Sequence, residues 1–289
     1  MRLKHVFLVT AYQDAPSLNR LVNKLMLYGQ VLIHIDKNCA LRVNDIEACD
    51  GVEVYKKYKV NWGSFHHLKA ILFLLKKAMR INPDYVHVIT GQDYPIVSNE
   101  AFDAFFIEHE GQSFLDFESV PDGSWMQERY KYYWFTDCIQ HPKSFDFLPH
   151  PVIGKLLKWQ KRFGIKRCRV GDFGINEMRK GMVYVSLYKD AARYVLDFMS
   201  KHGAYVRSLR TCLIPEEFCF QTILVNSQLR ESLVNDNLRY MDWQFRDGIS
   251  PCVLNETDYE AITKSGKLIM RKVSAQSNQL IELLHGKEI

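Results

Sequence analysis

The stretch Val31-Leu-Ile-His-Ile-Asp-Lys-Asn38 predicts the architecture of the chain. Its first five residues are apolar apart from one histidine, which is typical of a strand buried on both faces of a parallel sheet. Three polar residues follow directly, and the carboxyl ends of parallel strands are where open α/β sheets bind ligands. The stretch therefore predicts an α/β fold with a ligand site at one edge of the sheet.

The same alternation of apolar strands and amphipathic helices extends over the first hundred residues. Strands are predicted at 6–10, 31–35, 51–55 and 85–90, helices at 17–28 and 68–79, and a turn at 91–95. Further on, strands are predicted at 181–187 and 237–245 and a helix at 191–199. This order is typical of a nucleotide-binding α/β half, and we expect a single compact domain.

Composition excludes several classes of protein. The 289 residues are 47% hydrophobic and 25% charged, which is ordinary for a globular chain. The net charge of +5 suits contact with phosphates or an acidic membrane surface but is too small to predict a nucleic-acid partner. Seven cysteines include no CxxC pair, which argues against a zinc knuckle or a disulfide scaffold. Met1 to Thr10 reads as a buried strand rather than a signal peptide, so we expect a cytoplasmic location, with the inner face of the membrane as the alternative.

Phosphate-binding and metal-binding motifs are absent from the sequence. There is no GxGxxG and no GxxxxGK[ST], which argues against a Rossmann dinucleotide site and a P-loop. There is also no Asp-x-Asp, the paired carboxylates on which many sugar transferases hold a divalent cation. If the chain binds a nucleoside diphosphate, basic side chains must neutralise it.

Residues 213–227 predict a helix whose amino end carries two acids. Pro215 suits the first helical position, so Glu216 and Glu217 fall in the first turn. One interpretation is a general base at the mouth of a cleft. The alternative is that both acids only complement the helix dipole.

Two further segments have chemistry-bearing compositions. Residues 114–137 contain several aromatic side chains close to Arg129. Aromatic rings near polar groups suit sugar binding, but such rings also occur in ordinary protein cores. Residues 155–169 carry seven basic residues and no acid. The apolar residues able to share a helical face are Val152, Ile153, Leu156, Leu157 and Trp159 or Phe163. This segment resembles a helix that lies on an anionic membrane, with a solvated basic face or an RNA-binding patch as alternatives.

Six stretches in register resemble the core-2/I-branching β-1,6-N-acetylglucosaminyltransferase family, which also contains the peptide O-xylosyltransferases. They run in family order over nearly the whole chain, and the missing Asp-x-Asp is itself a feature of that family. The chain resembles a bacterial, anchor-free member. The stretches are His34-Ile-Asp-Lys37, Val60-Asn-Trp-Gly-Ser-Phe65, Thr90-Gly-Gln-Asp-Tyr-Pro-Ile96 with Ser98-Asn99, Pro215-Glu-Glu217 through Ser227, Tyr240-Met-Asp-Trp243 and Arg271-Lys272.

The resemblance implies a GT-A-like fold and an inverting, metal-independent transfer of GlcNAc or xylose from a UDP donor to a saccharide acceptor. The acceptor would be an intermediate in the assembly of a surface polysaccharide or glycan, and it could be linked to a lipid. Residues 1–110 would mainly bind the donor, and residues 111–289 would mainly bind the acceptor and carry catalysis. No cofactor and no divalent metal ion are expected.

The resemblance also implies roles for individual residues. Glu217 matches the family's base, although Glu216 competes for that role because the motif has two glutamates. The expected donor-binding and diphosphate-binding residues are Asp36, Gln92, Asp93, Arg271 and Lys272. The family's second diphosphate-binding arginine has no aligned counterpart, and the nearby Arg246 is expected to substitute for it. The acceptor-binding residues expected from the resemblance are Trp243 and Phe245, and Arg129 is expected from the composition of residues 114–137.

Three competing functions remain open from the sequence. The first is a metal-dependent transferase that uses scattered carboxylates, which a chelator would inactivate. The second is a carbohydrate-binding protein without turnover on the same fold. The third is a basic peripheral membrane or RNA-binding module built on residues 155–169, whose binding would depend strongly on salt.

Overall fold

The computed structural model describes residues 2–12, 14–47, 49–137, 151–167 and 171–286. The strands are β1 His5–Ala11, β2 Gly29–Ile35, β3 Val52–Tyr55, β4 Tyr85–Thr90, β5 Asp93–Pro95, β6 Ser113–Leu115, β7 Glu118–Ser119, β8 Arg179–Lys180, β9 Val185–Tyr188, β10 Leu233–Val234, β11 Arg239–Met241 and β12 Ile269–Arg271. The helices are α1 Ala15–Leu25, α2 Phe65–Ala78, α3 Asn99–Glu108, α4 Trp125–Lys131, α5 Pro151–Arg162, α6 Lys189–Lys201, α7 Gly203–Leu209, α8 Cys219–Val225, α9 Tyr259–Lys264 and α10 Asn278–His285.

The main sheet has the strand order β10-β6-β9-β4-β1-β2-β3. Its β1 strand pairs in parallel with β2 and β4, β2 pairs in parallel with β3, and β10 with β6. Only β9 runs against its neighbours β4 and β6 among the described strands of this sheet. Parallel neighbours need crossover segments, which α1 and α2 supply. The predicted α/β class, a mostly parallel sheet flanked by helices, is therefore confirmed.

Strand β1 is buried on both faces, as its continuous apolar sequence predicts. Phe7 and Val9 pack into a core cluster with α1 and α10 on one face. Val6 and Leu8 point to the other face and pack with α2, α6 and α8. The alternation of side chains along a strand thus divides the core into two layers, with the sheet between them.

The carboxyl ends of β1, β2 and β4 meet at one edge of the sheet. The amide of Asp36, just after β2, donates to the carbonyl of Ala11 at 2.9 Å. The amide of Gly91, just after β4, donates to the carbonyl of Thr10 at 3.0 Å. Both polar segments therefore flank the end of β1, which is the edge that the sequence marks as a ligand site.

A small sheet brings the end of the chain to this edge. It has the order β11-β12-β5, in which β5 lies within the predicted turn 91–95 and pairs antiparallel to β12. The register places Asp93 opposite Arg271. The predicted strand at 237–245 is shorter than expected, because the Asp242 carboxylate accepts from the Gln244 amide at 2.9 Å and turns the chain. The predicted strand at 181–187 likewise begins only at Val185.

The predicted helix over 213–227 is interrupted near its start. Residues Pro215–Glu217 form a 3-10 turn, and α8 begins only at Cys219. The backbone at Phe218 has φ −118° and ψ −30°, far from the usual helical φ of about −63° although still right-handed. The carbonyl of Glu217 accepts instead from the Gly181 amide at 2.9 Å, outside the helix. Residue 181 also lies against the backbone of Asp116. A Cβ at position 181 would be 2.0 Å from the carbonyl oxygen of Asp116, so only glycine fits there.

Helix α5 covers most of the basic segment 155–169, of which residues 168–169 lie outside the described ranges. The predicted apolar face is divided between two sides of the helix. Ile153 and Leu157 are buried against Trp134 and Leu213, whereas Trp159 faces solvent. Within the described residues, no helix combines the length and apolarity needed to cross a membrane.

Candidate active site

Glu217 lies at the rim of a cleft between the main sheet and the small sheet. The cleft has a volume of about 570 Å³, and its lining includes Glu217, Asp116, Lys180, Arg239 and Trp243. The Glu217 side chain is 31% exposed, so its carboxylate reaches solvent from a largely enclosed position. The 3-10 turn that begins at Pro215 sets this direction. A partly exposed carboxylate in the lining of a cleft is available to a bound hydroxyl group.

Arg129 holds the Glu217 carboxylate from behind. Its Nη2 atom donates to Oε2 of Glu217 at 2.7 Å. Its Nε and Nη2 atoms also donate to the carbonyls of Leu213 and Ile214, both at 3.3 Å, and its guanidinium lies over the Phe218 ring. The Arg129 side chain is only 4% exposed. In the structure, the Arg129 guanidinium contacts Glu217 and does not line the open cleft. The acceptor-binding role of Arg129 stays a prediction.

Glu216 points in the opposite direction, into the protein. Its Oε1 atom lies 2.8 Å from Nδ1 of His67, and Nε2 of His67 lies 3.2 Å from Oγ1 of Thr10. The Oε2 atom of Glu216 is buried, with no hydrogen-bond partner among the described residues. Glu216 thus links the 3-10 turn to α2 and β1. The two glutamates that the sequence left in competition are separated by this geometry, because only Glu217 lines the cleft.

Opposing effects act on the Glu217 carboxyl group. Burial is the largest and raises its pKa, because a charged carboxylate loses hydration there. The Arg129 guanidinium lowers the pKa by charge and by hydrogen bonding, and the net shift is upward. A raised pKa increases proton affinity, which suits a group that removes a proton near neutral pH.

Two guanidinium groups lie against the ring of Tyr184. The guanidinium carbons of Arg239 and Arg271 are 4.8 and 5.0 Å from its centroid. Burial lowers the pKa of Arg239 to about 10. Its Nη2 atom donates to the Val88 carbonyl at 2.7 Å, and it lines the cleft that contains Glu217. This arrangement places two cationic groups between the end of β4 and the cleft.

Asp93 anchors Arg271 and is itself fully buried. Its Oδ2 atom accepts from the Thr90 amide at 2.5 Å, and its Oδ1 atom lies 3.2 Å from Nη1 of Arg271. Arg271 also donates to the Thr90 hydroxyl. The predicted donor-binding role of Asp93 stays a prediction, and the contact that the structure gives it is with Arg271.

The other predicted donor residues lie along the same edge. Oδ1 of Asp36 accepts from the amides of Asn38 and Val60, at 3.0 and 2.9 Å, and so fixes the loop after β2. The carbonyl of Gln92 accepts from the Val273 amide at 2.8 Å. Lys272 is half-buried, and burial followed by the charge of Arg271 lowers its pKa. Asp36, Gln92 and Lys272 are far apart in the sequence. The structure thus brings them to one edge of the main sheet.

The segment after β11 carries the predicted acceptor aromatics. Trp243 lines the cleft, and both it and Phe245 are strongly exposed. Arg246 is bound by two carboxylates: its Nη1 and Nη2 atoms donate to Asp258 at 2.9 and 2.8 Å, and Nη2 also donates to Asp242 at 3.2 Å. The charge of Arg246 is therefore compensated within the protein, and its diphosphate contact stays a prediction.

Sequence reasoning missed several residues of this site, among them Asp116, Tyr184 and Arg239. Asp116, Tyr184 and Arg239 lie in or beside the cleft, and burial raises the pKa of Asp116. A weak signal existed for Arg239, since an arginine inside a predicted strand is seldom buried without a specific partner. The described residues contain no group of three or more His, Cys, Asp and Glu arranged to hold a metal ion.

The sequence is similar to one family of enzymes and to several curated proteins. The Core-2/I-Branching enzyme family model matches residues 6–265. Xylosyltransferase sqv-6 of Caenorhabditis briggsae is 21% identical over 225 residues, which are 75% of this chain and 25% of that protein. Xylosyltransferase 2 of Rattus norvegicus is 24% identical over 225 residues, covering 75% and 24% respectively. This chain thus spans about a quarter of the length of the curated relatives it matches.

Solved structures give a distant likeness. A 4-diphosphocytidyl-2C-methyl-D-erythritol synthase from Anaerococcus prevotii DSM 20548 superposes with a TM-score of 0.35 at 11% identity, and the superposition covers 70% of this chain and 76% of that one.

Proposed function

The chain belongs to the Core-2/I-branching enzyme family, a family of glycosyltransferases, and from this premise we propose that it transfers a sugar from a UDP donor to a saccharide acceptor. The transfer is proposed to invert the anomeric carbon and to need no divalent metal ion. Relatives named as xylosyltransferases favour xylose, and GlcNAc is the alternative donor sugar. The acceptor is proposed to belong to surface polysaccharide or glycan assembly.

The observation that carries this proposal is the position of the Glu217 carboxylate at the rim of the cleft, hydrogen-bonded to Arg129 at 2.7 Å. In a single displacement, an acceptor hydroxyl attacks the anomeric carbon from the face opposite the departing diphosphate. The new C–O bond forms as the bond to the diphosphate oxygen breaks, and Glu217 removes the hydroxyl proton. One carboxylate suffices, because no glycosyl-enzyme intermediate is formed.

The departing diphosphate gains negative charge, which fixed cations stabilise. Arg271 is held by Asp93 and Thr90, and Lys272 follows it in the chain. Both are proposed to bind the diphosphate, with Arg239 adding positive charge on the side of the cleft. Asp36 and the Gln92 backbone segment are proposed to bind the nucleoside or the donor sugar at the end of β1, in a GT-A-like arrangement.

The proposal is tested by UDP release from UDP-xylose and UDP-GlcNAc with a panel of saccharide acceptors, in the presence of EDTA. Glu217→Gln should lower kcat by about a hundredfold or more, since the amide cannot accept the proton. Glu216→Gln is the matched control, with thermal unfolding measured for both variants. Full activity in Glu217→Gln would disprove the base assignment, and activity that returns only with a divalent ion would disprove metal independence. Donor binding without UDP release from any acceptor would favour a carbohydrate-binding protein.

A further inference from the structure

The solvent side of α5 carries an apolar stripe. Val152, Trp159 and Phe163 are 49%, 55% and 60% exposed. They recur at intervals of seven and four residues, with the partly exposed Leu156 between them, so all four lie on one helical face. The rings of Trp159 and Phe163 are 5.0 Å apart. We call these four residues the outer stripe.

The outer stripe is not part of the hydrophobic core. The opposite side of α5 makes the packing contacts, through Ile153 and Leu157. Gln160 fixes the helix further, because its amide donates to the Tyr133 carbonyl at 3.0 Å and its Oε1 accepts from the Tyr133 amide at 2.8 Å. The helix is therefore held in place by one face while a second apolar face remains exposed. Contiguous exposed apolar surface of this kind marks an interaction site.

Basic side chains border the stripe. Lys155, Lys158 and Arg162 are exposed, and Lys155 and Arg162 each follow a stripe residue by three positions. In the described ranges, no ion pair joins these three side chains to a carboxylate, whereas the neighbouring Lys161 is paired with Glu128 at 2.5 Å. Three cations thus lie along one flank of an exposed aliphatic and aromatic surface.

We infer that the outer stripe and its basic border bind the surface of an anionic lipid bilayer. Apolar side chains with interfacial tryptophan and phenylalanine enter the headgroup region, while lysine and arginine contact anionic headgroups. An RNA partner would engage the cations and could stack on Trp159, but it would leave Val152 and Leu156 without a role. The full set of exposed residues therefore matches a lipid surface better than a nucleic acid.

The docking helix is close to the proposed base. Leu157 packs in one cluster with Leu213, the Leu213 carbonyl accepts from Arg129, and Arg129 binds Glu217. A docked α5 would hold the cleft near the bilayer, where a lipid-linked saccharide presents its sugar. This last step rests on the proposed sugar transfer, whereas the docking itself does not.

Co-sedimentation with vesicles tests the inference on the full chain. Vesicles of equal parts phosphatidylcholine and phosphatidylglycerol are compared with phosphatidylcholine alone, at low and high salt. We expect binding to the anionic vesicles that salt weakens. Lys158→Gln with Arg162→Gln should lower the partition coefficient roughly 25-fold, at about fivefold for each basic residue. Trp159→Ala with Phe163→Ala should lower it by about tenfold or more.

Matched controls separate the stripe from general surface effects. Lys76→Gln with Arg80→Gln removes one exposed lysine and one exposed arginine near the end of α2, and Leu27→Ala with Ile107→Ala removes exposed apolar side chains elsewhere. Both control pairs should bind vesicles like the wild type. Thermal unfolding verifies that all four double variants are folded.

Three results would overturn the inference: no binding of the wild type to anionic vesicles, equal binding by the α5 variants, or equal losses in the controls. Tighter binding to single-stranded RNA, lost with the two cations but retained without the two aromatic rings, would assign the surface to nucleic acid instead. Vesicle binding needs neither donor nor acceptor. Its failure therefore leaves the sugar-transfer proposal intact, and failure of UDP release leaves the vesicle result intact.

Discussion

The Nη2 atom of Arg129 lies 2.7 Å from Oε2 of Glu217, and the arginine is nearly inaccessible while the glutamate reaches the cleft. A buried cation at this distance stabilises the carboxylate form, and burial opposes it. The proton affinity of Glu217 is therefore set by two opposing effects, its burial and its contact with Arg129.

Arg129→Gln should move the acid limb of the pH–rate profile to higher pH. The wild-type limb should itself lie above the ordinary glutamate range, because burial raises the pKa of Glu217. Removing the guanidinium removes a lowering effect, so the base stays protonated up to a higher pH and the rate below that pH falls. The profile of kcat/KM against pH measures the shift. Arg167→Gln is the control, since Arg167 donates to the Tyr132 and Ser208 carbonyls instead. An unmoved limb in Arg129→Gln would contradict the positioning role.

His67→Ala should destabilise the fold more than it impairs chemistry. The variant leaves the Glu216 carboxylate buried without a partner at either oxygen, which costs about 1–3 kcal/mol or more of the free energy of unfolding. Urea denaturation measures this loss. The neighbouring His66→Ala is the control, because its imidazole is more exposed (34% against 21%) and contacts Asp137 at 3.4 Å instead of Glu216. Equal denaturation midpoints for the two variants would show that the buried contact contributes little.

Lys272 and Arg271 should respond differently to substitution although they are adjacent. Lys272→Gln should lower kcat by roughly a hundredfold with a small change in stability, because it removes charge opposite the leaving diphosphate. Arg271→Gln should also weaken the fold by about 3–5 kcal/mol, since it leaves Asp93 buried and uncompensated. UDP-binding calorimetry and thermal unfolding distinguish the two effects. Unchanged kcat in Lys272→Gln would rule out its proposed diphosphate role.

The protein should lose stability in mild acid. His5 and His87 are buried 2.9 Å apart, and burial lowers the pKa of both; burial also lowers the pKa of His34 to about 4. Because these histidines are neutral in the fold but take up protons near pH 6.5 once unfolded, their contribution is complete above about pH 6.5 and declines as the pH falls below it. Urea midpoints at about pH 7 and about pH 5 measure the loss.

His34→Gln should reduce that dependence on pH, since it removes one of the three groups. His66→Gln, which replaces a partly exposed histidine on α2, is the control and should leave the dependence unchanged. Equal midpoints at the two pH values in the wild type would contradict the assignment of neutral buried histidines.

The amino-terminal half could be predicted well from local pattern. The strands β1, β2 and β4 and the helices α1 and α2 follow from apolar runs and helical periodicity, which act over a few residues and depend little on what lies elsewhere in the chain. Glu217 could be proposed as a catalytic base from the sequence, because Pro215 followed by two acids is a short local motif for the start of a helix. The division of α5 into a packed face and an exposed face could not, since both faces are apolar in the sequence.

The sequence by itself determined the class of fold, the edge of the sheet where polar residues gather, and a short set of candidate residues. Only the tertiary structure decided that Glu217 faces the cleft while Glu216 faces His67, because the direction of each side chain depends on the backbone break at Phe218 and on the approach of Gly181. It likewise decided that Arg129 binds Glu217 and that Tyr184 lies against Arg239 and Arg271. These contacts join residues 36 or more positions apart in the sequence. Local periodicity contains no information about them, since they form only when the whole core packs.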